Sequence, residues 1–120
     1  MIEIIFGSVV YYASLINCYD GDTCKIEFRD FPQIVAVQDL RFNDFDTPEI
    51  NGKCESEKEL AILAKNITIE YMSNNPKIHS NGKKGKYGRL LISAPILKDT
   101  LIKKDLAKEY NGGKRESWCD

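Results

Sequence analysis

The stretch VVYYASLINCYDGDTCKIEF, residues 9–28, decides the fold of this chain. It contains two runs rich in β-branched and aromatic residues, 9–19 and 23–28, with the dipeptide Asp20-Gly21 between them. An Asp-Gly dipeptide between two such runs is the strongest short-range hairpin signal, because these residues tolerate the backbone of a tight turn. The sequence therefore predicts two paired strands.

Three further segments of the chain have strand character. Residues 34–42 follow a turn at residues 30–32, residues 77–80 form a short strand, and residues 87–94 resume the β pattern. A basic, glycine-containing segment, residues 81–86, is predicted as the loop between the last two.

Two segments have helical periodicity. In residues 55–73 apolar side chains recur at intervals of three and four, which is typical of an amphipathic helix. Residues 97–106 form a second, shorter helix. A series of strands followed by a helix, a strand and a helix predicts a β-rich α+β domain, with a small Greek-key barrel of the OB type as the natural candidate. A chain of 120 residues holds one core, so residues 1–120 are expected to form a single domain.

The apolar opening of the chain, residues 1–17, favours a strand over a signal peptide. Glu3 stands where a signal peptide carries basic residues, and no clear small-residue cleavage site follows. No segment approaches the roughly 18 to 20 apolar residues that span a membrane, so no membrane partner is expected. The sequence leaves the compartment and the oligomeric state open, and a monomer is the simplest expectation.

Charge is distributed unevenly along the chain. The net charge is −1 overall, but residues 1–52 carry −6 and residues 53–120 carry +5. An acidic half suits a hard cation and a basic half suits phosphate. Two ordinary solvated faces that happen to differ explain the same numbers equally well.

The four cysteines do not form the pairs of a zinc site, and His79 is the single histidine. Any bound metal is therefore expected to have oxygen ligands. Cys18 and Cys24 flank the hairpin turn: a two-residue loop points them to opposite faces, and a three-residue loop places them directly across. Cys54 and Cys119 either form a disulfide or remain thiols.

Three short motifs carry the chemistry: YDGDT at 19–23, RFNDFDTPE at 41–49 and KYGR at 86–89. Each is weak alone, because an aspartate often follows a turn or caps a loop, and arginines often lie at the surface. Together and in this order they resemble the staphylococcal nuclease (thermonuclease) family. The segment LAKEYNGGKR, followed by Trp118-Cys119, is similar to the end of short bacterial members.

The resemblance implies a five-stranded OB barrel, one Ca²⁺ ion and hydrolysis of phosphodiester bonds in DNA and RNA. By position, Asp22 and Asp46 match carboxylate ligands of the metal, and Thr47 matches a backbone carbonyl ligand. Calcium takes about six to eight oxygen ligands, so this set leaves room for water and a substrate phosphate.

The resemblance also implies the catalytic residues. Glu49 matches the family's glutamate, whose role is either the general base for the attacking water or an organising one. Arg41 and Arg89 match the two arginines that hydrogen-bond the phosphate as negative charge develops on it. The same residues would be absent from noncatalytic nucleic-acid-binding relatives, and a calcium-sensing OB domain would keep only the carboxylates.

Three residues match the family's substrate-binding positions: Lys86 and Tyr87 for a terminal phosphate, and Tyr110 for stacking on a base. Simple packing explains Tyr110 equally well. Arg41 and Asp46 are five residues apart, so a regular strand would point them to opposite faces. A bulge or turn at residues 43–44 must intervene if both residues face one site.

Overall fold

The computed structural model describes residues 1–111 and 113–119, which form eight strands and three helices. The strands are β1 (Ile2–Phe6), β2 (Val9–Asp20), β3 (Thr23–Phe28), β4 (Val37–Phe42), β5 (Phe45–Asp46), β6 (Lys77–Lys84), β7 (Leu90–Ser93) and β8 (Lys108–Glu109). The helices are α1 (Gln33–Ala36), α2 (Glu55–Met72) and α3 (Pro95–Lys103). Among these helices none has the length and apolar character needed to cross a membrane.

Six of the strands close into a barrel in the order β1-β2-β3-β4-β7-β6. Neighbouring strands are antiparallel except β1 with β6 and β4 with β7, which pair in parallel. The short strands β5 and β8 form a separate antiparallel ribbon. The predicted β-rich α+β barrel is confirmed at this level, and the short helix α1 adds to the two predicted helices.

The expected count of five strands is wrong, because the apolar opening of the chain folds as a hairpin of its own. Gly7 has a φ of 62°, a left-handed conformation that glycine adopts without a steric penalty, and Phe6 pairs with Val9 across this turn. The resulting strand β1 lies between β2 and β6. Its parallel partner β6 is more than seventy residues away in the chain, so no local pattern shows the pairing.

Other boundaries differ from the predicted ones. The strand expected at 34–42 begins only at residue 37, because α1 occupies residues 33–36 immediately after Pro32. The predicted loop at 81–86 is largely strand, since β6 continues to Lys84. The strand expected at 87–94 is confined to β7, and the helix expected at 97–106 begins earlier, at Pro95, and ends at Lys103.

The interior of the barrel holds the core, and α2 covers one side of it. The largest fully buried side chains are Phe42, Phe45, Ile2, Ile4, Ile26, Leu40, Met72, Ile78, Ile92, Leu97 and Leu101. Three of the five buried residues on α2 are small, namely Ala61, Ala64 and Thr68, and they follow one another along one face of the helix. A helix face of small residues lets the strands and their turns approach its backbone closely.

The hairpin turn between β2 and β3 uses this space. The Thr68 hydroxyl donates a hydrogen bond to the Gly21 carbonyl at 2.7 Å. A Cβ atom at position 21 would lie 2.9 Å from both Ala64 Cβ and Thr47 Cγ2. Only glycine therefore fits here, and the contact fixes the turn that carries Asp20 and Asp22.

Both cysteine pairs are joined. Asp20 pairs with Thr23 around a two-residue loop, yet Cys18 lies opposite Cys24 because the strand register shifts by one residue between positions 18 and 20. This bulge, which the sequence did not reveal, brings both sulfur atoms to the same face. The second disulfide links Cys54, immediately before α2, to Cys119.

Candidate active site

A cleft of about 680 Å³ opens beside the β2–β3 turn. Eight of the nine predicted site residues line it: Asp22, Arg41, Asp46, Glu49, Lys86, Tyr87, Arg89 and Tyr110. The ninth, Thr47, is fully buried next to it. Residues from three separate motifs therefore meet at one surface.

The centre of the cleft is a pair of buried carboxylates bridged by an arginine. Arg41 Nη1 lies 3.0 Å from Asp22 Oδ2, and Arg41 Nη2 lies 3.5 Å from Asp46 Oδ1. Arg41 Nη1 also donates to the carbonyl oxygens of Phe42 at 2.7 Å and Phe45 at 3.2 Å. The guanidinium group thus neutralises the carboxylates and holds the backbone around itself.

Arg41 and Asp46 face the same site because the chain bends at residues 43–44, between β4 and β5. The bend is the interruption that their five-residue spacing required. Ser93, at the end of β7, donates a hydrogen bond to Asp44 Oδ2 at 3.3 Å. Asp44 therefore ties the bend to the barrel and does not line the cleft.

Asp22 is held by hydrogen bonds on both carboxylate oxygens. The Thr23 hydroxyl donates to Oδ1 at 2.9 Å, and the Thr47 N–H donates to Oδ2 at 3.1 Å. The second contact places the backbone of Thr47 beside the carboxylate pair. Donors on both oxygens favour the charged form of this buried group.

Asp20 and Asp22 titrate as a pair. Burial, the charge of Asp22 and a hydrogen bond with its carboxylate raise the pKa of Asp20 from 3.8 to about 8. Burial alone raises the pKa of Asp22, but the hydrogen bond from Asp20 and the charge of Arg41 outweigh it and hold the pKa below 3.8. Near neutral pH one proton therefore resides on Asp20 and the negative charge on Asp22.

The pKa of Asp46 shifts in the opposite direction to that of Asp22. Burial raises its pKa, and the Arg115 guanidinium group offsets only part of that effect. Both of its oxygens are buried, and within the described residues neither accepts a hydrogen bond. The two nearby arginines lie within ion-pair distance without aligned donors, so these oxygens retain lone pairs for another partner.

Arg115 was not predicted, and it reaches the same cluster from the C-terminal segment. Its Nη2 atom lies 2.8 Å from Asp46 Oδ1 and donates to the Thr47 carbonyl at 3.0 Å, while Nη1 pairs with Glu49 Oε1. Burial lowers the pKa of Arg115, but contacts with Asp46 and Glu49 raise it more. Its place four residues before Cys119 was the available signal, and it depended on knowing that Cys119 pairs with Cys54.

Glu49 lies on a loop that a second glutamate organises. The buried Glu57 carboxylate, in the first turn of α2, accepts the backbone N–H groups of Glu49 at 3.0 Å and Lys53 at 3.1 Å. An acidic residue in the first turn of a helix is ordinarily explained by the helix dipole alone. Glu57 instead shapes the loop that presents Glu49 to the cleft.

The opposite wall of the cleft is basic and aromatic. Arg89 Nη1 approaches the Thr23 hydroxyl at 3.4 Å, and Arg89 Nε has no hydrogen-bond partner among the described residues. The guanidinium lies 5.3 Å from the centroid of the exposed Tyr87 ring, and Lys86 Nζ lies 5.7 Å from it. Tyr110 packs under Arg41, with 5.6 Å between the guanidinium carbon and the ring centroid.

The carboxylate and carbonyl oxygen atoms at this cleft are suitable ligands for a hard cation. Asp22, Asp46 and the Thr47 carbonyl meet at two guanidinium groups, and the Asp46 oxygens lack hydrogen-bond donors in the part of the chain that the structure describes. Cys54, Glu57 and Cys119 also lie together. Their two sulfur atoms are bonded to each other, so they offer no thiolate ligands.

No protein-family model matches the chain. No curated protein matches it either. Function is therefore inferred from the geometry of the cleft and from the ordered motifs that build it.

Proposed function

We propose that this protein is a calcium-dependent, sugar-nonspecific nuclease of the staphylococcal nuclease type. It would hydrolyse phosphodiester bonds in DNA and RNA, leave 3′-phosphate ends and act as a monomer. The observation that carries the proposal is the convergence of two buried carboxylates, Arg41, Arg89 and Glu49 in one open cleft, with the Thr47 carbonyl beside it.

The barrel is compatible with an OB-type Greek-key set. In the proposed correspondence β2, β3, β4, β6 and β7 are the five strands of that set, and β1 is an additional strand inserted between β2 and β6. The cleft then lies where the β2–β3 turn meets the bend after β4.

Asp22, Asp46 and the Thr47 carbonyl would hold the calcium ion. The Asp46 carboxylate supports this assignment, because its buried oxygens accept no hydrogen bond from the described residues and lie at a point where the Arg41 and Arg115 guanidinium groups already provide cationic partners. A bound Ca²⁺ would supply Lewis-acid chemistry and a template for a phosphate oxygen.

Arg89 and Arg41 would hydrogen-bond the scissile phosphate. Attack by water adds charge to the phosphate oxygens, and guanidinium donors strengthen as that charge develops. Arg89 lies on the cleft wall, where a phosphate can reach it, and its Nε atom has no hydrogen-bond partner in the described part of the chain. Arg41 already neutralises Asp22 and Asp46, and its Nη2 atom is the donor that can turn to the phosphate.

Glu49 would accept a proton from the attacking water. Its side chain is about half exposed, so water reaches it, and Glu57 fixes the backbone on which it stands. Arg115 pairs with the Glu49 carboxylate in this structure, so catalysis requires that this contact open.

Lys86 and Tyr87 would bind a neighbouring phosphate of the substrate, and Tyr110 would stack on a base. Lys86 and Tyr87 are exposed on the basic wall, and Tyr87 is 74% exposed. Contacts to phosphates and to base faces read no sequence, which fits a nuclease that accepts both DNA and RNA.

The test is cleavage of an end-labelled single-stranded DNA and an RNA, with Ca²⁺ and then with a chelator, by the wild type and by Glu49→Gln. We expect calcium-dependent 3′-phosphate ends and a loss of about a hundredfold or more in the variant. Salt-sensitive binding without cleavage by the wild type would support the alternative, a noncatalytic nucleic-acid-binding OB-fold module of the same family.

A further inference from the structure

Arg115 contacts the same oxygen atoms that the proposed function assigns to calcium. Its Nη2 atom lies 2.8 Å from Asp46 Oδ1 and 3.0 Å from the Thr47 carbonyl oxygen. Its Nη1 atom pairs with the Glu49 carboxylate. One guanidinium group thus occupies two of the three ligand groups and also the proposed base.

The segment that carries Arg115 is fastened on both sides of it. On one side β8 pairs with β5, with Lys108 opposite Asp46. On the other side Cys119 is bonded to Cys54. Lys108 adds contacts across the segment: its Nζ donates to the Ser117 carbonyl at 2.6 Å and lies 4.3 Å from the Trp118 ring centroid.

We propose that Arg115 is a resident cation of the carboxylate cluster, which competes with the divalent ion and is kept there by the Cys54–Cys119 disulfide. This inference rests on the proposed function, because it takes Asp46 and Thr47 as metal ligands. It adds that the chain carries its own competitor for the ion on its C-terminal segment.

The competition follows from charge and space. A guanidinium group and a metal ion both satisfy buried oxygens that have no other partner, but they cannot occupy the same oxygens together. The apparent affinity for the ion falls in proportion to the fraction of molecules in which the cluster is open. If Arg115 occupies it in nine molecules of ten, the apparent affinity falls by about tenfold.

The attachment of the Arg115 segment at both ends, by β8 and by the Cys54–Cys119 disulfide, determines how effectively Arg115 competes with the ion. A side chain on a segment fixed at both ends returns to the cluster far more often than one on a long free tail, because its effective concentration is higher. Removing the disulfide should therefore lower occupancy by Arg115 without changing any ligand of the ion.

The experiment measures binding of Ca²⁺ alone by titration calorimetry, with no nucleic acid present. The proteins are the wild type, Arg115→Gln, the double variant Cys54→Ser/Cys119→Ser and the matched control Lys114→Gln, whose charge change is the same one residue away. The disulfide is removed by substitution and not by a reducing agent, because a reducing thiol would also open the Cys18–Cys24 disulfide. A thermal melt of each protein confirms that it is folded.

We expect about tenfold tighter calcium binding in Arg115→Gln, a smaller gain in the cysteine double variant and no more than about a twofold change in Lys114→Gln. The double variant keeps the inference testable if Arg115→Gln does not fold. Equal or weaker calcium binding in Arg115→Gln and in the double variant would overturn the competition.

A further variant separates this inference from the proposed function. If Asp46→Asn abolishes calcium binding while Arg115→Gln leaves it unchanged, the metal site stands and the competition is wrong. If no protein binds calcium, the proposed metal site itself fails and the inference fails with it. If Arg115→Gln weakens binding of a single-stranded oligonucleotide in chelator and leaves calcium affinity unchanged, Arg115 is a phosphate ligand and the competition is again wrong.

Discussion

The residues of this site differ in how many hydrogen bonds and ion pairs they make with the rest of the protein. Arg41 and Arg89 have the same side chain, but Arg41 is bridged to two carboxylates and three carbonyl groups. Among the described residues Arg89 makes a single, long hydrogen bond, to the Thr23 hydroxyl, besides its contact with the Tyr87 ring. Substitution of the two arginines is therefore expected to have different effects on stability and on activity.

Arg41→Gln is expected to lower the free energy of unfolding by about 3 kcal/mol, because it leaves Asp22 and Asp46 buried without their bridging cation. Arg89→Gln is expected to change stability by less than about 0.5 kcal/mol and to lower kcat by about 100-fold or more. Urea unfolding and single-turnover cleavage measure the two effects. Lys83→Gln, an exposed basic residue on β6, is the control. Equal stability losses in both arginine variants would contradict the assignment.

The Asp20 proton gives stability a pH dependence with a definite sign. The folded protein holds this proton up to a pKa of about 8, whereas the unfolded chain releases it near 3.8. Its contribution is therefore complete below about pH 4 and is lost as the pH rises to about 8. Asp46 has a raised pKa and acts in the same direction, while the lowered pKa of Asp22 acts only below 3.8.

In chelator, the stability of the wild type relative to Asp20→Asn should fall between pH 5 and 8 by up to about 1.4 kcal/mol per pH unit. Asparagine mimics the protonated carboxyl group and has no proton to lose. Urea unfolding at several pH values measures this, with Asp99→Asn on the exposed face of α3 as the control. If Asp20→Asn has the same pH profile as the wild type, the shared proton is wrongly placed.

At the scale of elements, much of the fold could be predicted, because the main hairpin and α2 have local signals. The Asp-Gly turn lies between β2 and β3, and the apolar period of three and four residues marks a helix that ends at Met72. The opening of the chain was predicted as a strand, but the position of β1 among the other strands could not be predicted in the same way. Its place in the barrel depends on parallel pairing with β6, a contact between distant parts of the chain.

The residues of the site divide in the same way, into those with a local sequence signal and those placed by long-range contacts. The motifs gave Asp22, Arg41 and Asp46 as neighbours, and the ion pairs between them agree with that grouping. Arg115 and Glu57 were missed because their places depend on long-range contacts: a disulfide for the first and the approach of the Glu49 loop to α2 for the second. A sequence pattern reports such contacts only when the partner is already known.

The first turn of α2 supports the loop before it, and this contact is testable. Glu57→Ala leaves the N–H groups of Glu49 and Lys53 without their acceptor, so we expect a loss of about 2 kcal/mol in the free energy of unfolding. Glu59→Ala, an exposed acid two residues later, should change it by less than about 0.5 kcal/mol. Urea unfolding compares them, and equal losses would mean that Glu57 acts only through helix charge.

At the scale of the whole molecule, the acidic first half and the basic second half of the chain both contribute side chains to the cleft. The acidic residues of the cleft, Asp20, Asp22, Asp46 and Glu49, all come from residues 1–52. Its basic residues Lys86, Arg89 and Arg115 come from the remainder of the chain, and Arg41 is the exception. The fold thus brings acidic side chains of one half and basic side chains of the other to one surface, which two unrelated solvated faces would not require.

The disulfide that closes the longer loop should contribute more to stability, because loop-closure entropy rises with the logarithm of loop length. Cys54–Cys119 spans 65 residues and Cys18–Cys24 spans 6, so loop-closure entropy assigns about 4 kcal/mol to the first and about 2 kcal/mol to the second. Urea unfolding of the two double alanine variants measures these losses. A smaller loss for Cys54→Ala/Cys119→Ala than for Cys18→Ala/Cys24→Ala would contradict the entropic account.

The same two double variants should have different effects on calcium. Cys54→Ala/Cys119→Ala releases the segment that carries Arg115, so it should bind Ca²⁺ more tightly although it is the less stable protein. Cys18→Ala/Cys24→Ala leaves that segment fastened and should show no such gain. General loosening of the barrel would weaken the site in both variants. Tighter calcium binding by the less stable variant can therefore arise only if the site contains a competitor that the disulfide holds in place.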